Sequence, residues 1–167
     1  MAVRVAWHAS GTYNASDRTG GSDGGGMRFE PERSDPANSG LFIIHDLLER
    51  VKQKYPDVSY ADLWTLAGCK AVEFMGGPAV PHKFGRVDAA DARAAGCPAN
   101  GRLPDASQGS AHLRDVFNRM GFDDKDIVVD IISCSGSKAT PPHLPSPRAS
   151  SSAGTRPSAD LVCRRAR

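Results

Sequence analysis

An all-α protein is predicted, on three observations. Apolar residues recur three and four positions apart in several separate segments, the mark of helices with one buried face. The stretches between them are dense in Gly, Pro, Ser and Asp, which break regular structure. No segment alternates apolar and polar residues over the length of a strand.

The elements follow in chain order. "RVAWHASGTY" opens the chain, and on a helix Arg4 and His8 share a face, with Trp7 beside them. "GGSDGGGMRFEPERSDPANSG" is too rich in breakers for anything but loop. "LFIIHDLLERVKQKY" places Leu41, Ile44, Leu47, Leu48, Val51 and Tyr55 at helical spacing and is stopped by Pro56. In "SYADLWTLAGCKAVEFMGGP", Ser59 and Asp62 form a capping box and Leu63, Leu66, Ala67 and Phe74 line one face. Gly76, Gly77 and Pro78 end that helix. A long loop from Pro78 to Gly109 precedes "SAHLRDVFNRMG", with Leu113, Val116, Phe117 and Met120 inward and Gly121 at its end. "DDKDIVV" begins another helix, with acidic residues where the dipole favours negative charge.

Composition narrows the class. At 167 residues, 40% hydrophobic and 24% charged, the chain suits one soluble domain with a real core. No apolar run reaches the length of a membrane span and no signal peptide opens the chain, so no membrane partner is expected. Cys69, Cys97, Cys134 and Cys163 lie far apart without a C-x-x-C pair, which suggests reduced thiols rather than a zinc site or disulfide framework. Two regions emerge, 1–129 and 130–167. The second carries six basic and two acidic side chains, eight Ser and five Pro, leaving fifteen basic against seventeen acidic residues in the first. It reads as a disordered basic tail whose scattered charge, without aromatics, is no nucleic-acid site.

At "RVAWHASGTY" the sequence resembles the distal helix of haem peroxidases of the intracellular (class I) group. "TGGSDGGGMRFEPE", "DPANSGL", "SYADLWTLAG", "MGGPAVP", "GRVD" and "GRLPDASQGSAHLRDVFNRMGF" follow in that group's order and spacing across residues 3–129. "GRLPDA" favours the cytochrome c peroxidase and ascorbate peroxidase branch. The resemblance implies the distal helical half of the peroxidase fold. It also implies haem b, hydrogen peroxide as substrate in an oxidative-stress response, and cytochrome c or a small reductant such as ascorbate as electron donor. The location it implies is intracellular: cytoplasm, mitochondrion or plastid.

It also assigns roles. Breaking a peroxide O–O bond needs a base that takes a proton from one oxygen and returns it to the other, and His8 is that residue. Arg4, permanently charged, stabilises the negative charge on the departing oxygen. Trp7 walls the pocket, so Arg4, Trp7 and His8 form the distal haem face. Asn38 accepts a hydrogen bond from His8, fixing its tautomer, and doubles as a helix cap. His45 and His112 match no site and are expected at the surface; His82 and Arg86 are expected to be structural.

The resemblance stops after Val129. Where the group continues into the helix bearing the iron-binding histidine, this chain reads "DIISCSGSKATPPHLPSP". Cys134 falls at the ligand's position and His143 lies beyond two prolines; neither is taken as a ligand, so no metal-binding residue is assigned. Without a proximal ligand the expectation is loose haem binding, an uncovered apolar face and a catalytically incomplete peroxidase fragment. Residues 130–167 would then be the product of a truncated or mis-spliced gene.

Overall fold

The computed structural model describes residues 1–128. They form four α-helices: α1 (Ala2–Ser10), α2 (Phe42–Lys54), α3 (Tyr60–Phe74) and α4 (Ser110–Arg119). Three single 3₁₀ turns, Gly26–Arg28, Glu32–Ser34 and Pro36–Asn38, shape the loop between α1 and α2. Among the described residues there is no strand, only a lone parallel bridge between Gly24 and Asp88. The all-α expectation holds, and residues 124–128 begin the further helix. The tail from 130, with Cys134 and His143, lies outside the described residues.

Helix α1 lies on α3, and one glycine decides how closely. A Cβ on Gly68 would stand 2.4 Å from the Cβ of Ala6, so any larger residue would force the helices apart. Around this contact the core divides in two. Val5 and Ala9 of α1 join Met27, Leu41 and Trp64, with Ile44, Leu48 and Tyr60 packed against them. Trp7, on another side of α1, packs with Leu113 against Val116, Phe117, Met120, Phe122 and Ile127. The opening helix is therefore held from both sides, by α3 and by α4.

The start of α3 is capped by two residues. The Ser59 hydroxyl accepts from the Asp62 N–H at 3.1 Å, as predicted. The reciprocal half of the expected box is replaced: the buried Asp62 carboxylate accepts instead from the Gly85 N–H at 2.7 Å and pairs with Arg86 at 2.9 Å. Asp88 supplies the missing acceptors, taking the Tyr60 and Ala61 N–H groups at 2.8 and 3.1 Å. These first-turn donors have no partner within the helix.

Four predicted core residues sit elsewhere. Leu47, Val51 and Tyr55 are exposed, because α2 reaches the core through Ile44, His45 and Leu48 and no residue of α2 itself is buried. Buried Leu41 sits one position before the helix. Phe74 is 93% exposed. Phe74 lies at the end of α3, six residues beyond Gly68, where Ala2 and Ala6 of α1 meet the helix.

Candidate active site

Arg4 and His8 both face the turn 37–39. The Arg4 guanidinium donates to the Ser39 carbonyl at 3.0 Å and to the Ala37 carbonyl at 2.6 Å. His8 Nδ1 lies 2.7 Å from Asn38 Oδ1. The i, i+4 spacing thus places cation and imidazole together on one half-buried face.

Asn38 is held in turn. Its Nδ2 donates to the Glu32 carbonyl at 2.8 Å, so its oxygen is the atom turned toward His8. His8 must then carry its proton on Nδ1, which leaves the Nε2 lone pair free. Burial lowers the pKa of His8, the Asn38 hydrogen bond opposes this, and the Arg4 charge lowers it further. The uncharged base is the form the site favours. Asn38 is not a helix cap: Asp35 caps its turn, accepting from the Ala37 N–H at 2.8 Å, and α2 begins without a side-chain cap.

Trp7 stacks on Phe117, ring centres 5.7 Å apart and planes 16° from parallel. The end of α1 beyond it is clamped by two arginines. Arg119 donates to the Gly11 and Thr12 carbonyls at 3.0 and 2.9 Å, to that of Tyr13, and to that of Arg102 at 2.7 Å. Arg102 reaches the Thr12 carbonyl at 2.9 Å and the Thr19 hydroxyl at 2.9 Å. Neither arginine was singled out from the sequence, although both lie in the motif "GRLPDASQGSAHLRDVFNRMGF"; an arginine inside a predicted amphipathic helix reads as solvated.

The other histidines divide. His45, expected at the surface, is half-buried: its ring stacks on Trp64 at 4.9 Å and burial lowers its pKa. The flat indole next to the first turn of α2 draws it in. His112 accepts from the Asp105 N–H at 3.0 Å, tying α4 to the preceding loop. His82 bonds the Thr65 hydroxyl at 2.9 Å, and Arg86 bridges Asp62 to the Ser22 hydroxyl, 3.1 Å away, so both act structurally. A cavity of about 650 Å³ between the 27–42 segment and the first turns of α2 and α3 includes Asn38, His45 and Trp64 in its wall, but none of Arg4, Trp7 and His8.

A neutral imidazole with an open Nε2, one turn from a guanidinium, fits the peroxide-facing side of a haem. Among the described residues no three His, Cys, Asp or Glu side chains converge as metal ligands.

A helical frame presenting an arginine and an asparagine-held histidine on one face, with a tryptophan packed beside them on α4, is of the haem peroxidase type. A family model described as peroxidase matches residues 1–132, and the chain belongs to that family. It is 57% identical over 126 residues to a protein of Pyricularia oryzae named as a heme-binding peroxidase, covering 75% of this chain and 41% of the relative. It is 53% identical to the mitochondrial cytochrome c peroxidase of Aspergillus fumigatus and 52% to that of Cryptococcus neoformans var. neoformans, over 75% of this chain and 34% and 33% of theirs. The chain thus spans less than half the length of these relatives.

Proposed function

We propose that this chain provides the distal side of a haem peroxidase that reduces hydrogen peroxide. The bonded series His8–Asn38–Glu32 carbonyl carries the reading, because it fixes a neutral imidazole with its free nitrogen outward. Haem, when bound, supplies the iron at which the peroxide bond is reduced. His8 Nε2 takes the proton from one peroxide oxygen and returns it to the other, so that water leaves. Arg4 stabilises the charge that builds on the departing oxygen, and its two carbonyl contacts hold it one turn from His8. Trp7, braced on Phe117, closes the side of the site. The names of the relatives support cytochrome c as electron donor and a mitochondrial location.

Haem titration of the purified full chain tests this. Stoichiometric uptake with a sharp Soret band, and peroxide turnover reduced about 10²- to 10⁴-fold in His8→Leu, are expected. Faster turnover with reduced cytochrome c than with ascorbate is the expected donor preference. Absence of stoichiometric uptake would overturn the enzyme reading in favour of an incomplete peroxidase fragment.

A further inference from the structure

Helix α2 carries an apolar ridge that faces away from the core. Ile43, Leu47 and Val51 follow at intervals of four, so they line up along the helix, and Tyr55 continues the row. All four are exposed, Leu47 at 52%. Ile44 and Leu48, further round the helix, make the contact with the core, so the ridge is not needed for that. Asp46, Arg50 and Lys54, again four apart, form a charged row beside the ridge and are exposed as well. The other two charged side chains of α2 are engaged within the molecule. Glu49 accepts from the Tyr60 hydroxyl at 3.0 Å, and Lys52 donates to the Pro56 and Val58 carbonyls at 2.8 and 2.6 Å. None of the ion pairs among the described residues involves Asp46, Arg50 or Lys54.

We propose that this ridge is the contact between two copies of the chain, paired with their α2 helices antiparallel about a two-fold axis. The order of the charges selects both the occupant and its direction. Asp46 precedes Arg50 and Lys54, so a parallel pair would set like charges side by side, whereas an antiparallel pair opposes the acidic end to the basic end. The spacing of the apolar row sets the register. With Leu47 against Val51 of the second copy, and Ile43 against its Tyr55, Asp46 falls between Arg50 and Lys54 of that copy. The two-fold axis repeats the arrangement, because such an interface uses the same patch on both chains. The face is therefore complementary to itself, which a partner of unrelated sequence would not require. One pair of helices is at the small end of specific interfaces, below about 1,200 Å², so the association is reversible and depends on concentration. It uses none of Arg4, Trp7, His8 and Asn38 and stands apart from the peroxidase reading.

Sedimentation equilibrium of the full chain tests this without haem or peroxide. A monomer–dimer equilibrium is expected, with dimer predominant at about 1 mM and monomer on dilution. Leu47→Lys is expected to stay monomeric at every concentration while keeping the helical circular dichroism of the wild type. Asp46→Arg, and separately the double variant Arg50→Glu with Lys54→Glu, should each weaken the dimer about tenfold or more, because each opposes like charges. An equimolar mixture of these two variants is expected to pair again, since one row is then wholly basic and the other wholly acidic. A wild-type chain that stays monomeric at about 1 mM would overturn the proposal and leave the ridge to a different partner. A dimer that survives Leu47→Lys, or a mixture that pairs no better than either charge variant alone, would overturn it too. Should Leu47→Lys lose its circular dichroism, the mixture decides instead.

Discussion

Helices α1 and α2 lie a loop apart and are held to very different degrees. Helix α1 has nine residues, a glycine contact with α3, a tryptophan stacked on α4 and two arginines on its last carbonyls. Helix α2 has thirteen residues, none of them buried, and turns Phe42, Ile43 and Leu47 outward at half exposure or more. The helix that carries Arg4 and His8 is overdetermined, while its longer neighbour grips the core with a few side chains. Catalytic geometry needs groups fixed to fractions of an ångström, and α1 has the supports that such precision requires.

The contrast can be broken first at the clamp. Arg119→Ala removes a half-buried cation and leaves main-chain carbonyls around residues 11–13 without their donor. A loss of about 4 kcal/mol in urea unfolding is expected. Glu32 gives the next effect. Folded and buried, it keeps its proton to about pH 7, whereas unfolded it releases it near 4.5. The folded state binds more protons between these values, so stability falls as pH rises through that window and levels above it. Wild type minus Glu32→Gln should change by about 3 kcal/mol between pH 4 and 8, and a flat difference would refute the burial argument.

At the helix contact, Gly68→Ala should cost about 2 kcal/mol, and Ala6→Gly in the same chain should recover part of it. The smallest effect belongs to α2. Leu47→Lys should shift stability by less than about 0.5 kcal/mol, since half of that side chain already meets solvent. A larger loss would mean that α2 is held better than its exposure indicates.

Periodicity revealed α2, α3 and α4, because helical spacing is a local property. It misplaced Leu47, Val51, Tyr55 and Phe74 because it shows which face is apolar, and only tertiary contacts decide whether that face is covered. Arg4, His8 and Asn38 came together as their motifs implied, Asn38 arriving from 30 residues away. Arg102 and Arg119 stayed hidden for a common reason. Each works by satisfying or displacing main-chain groups far along the chain, and composition has no signature for that. Asp62 was legible as a capping residue but not as the partner of Arg86, which a loop 24 residues later delivers.

The Arg119 clamp also bears on how the molecule assembles during synthesis. The carbonyls it grips are 106 to 108 residues earlier in the chain. Helix α1 is thus synthesised long before the clamp on its last carbonyls, which arrives only with the end of α4. Until then α1 depends on nearer contacts, and closure of so long a loop is a slow step. A newborn chain passes through a period in which its most exacting element is made but not yet locked.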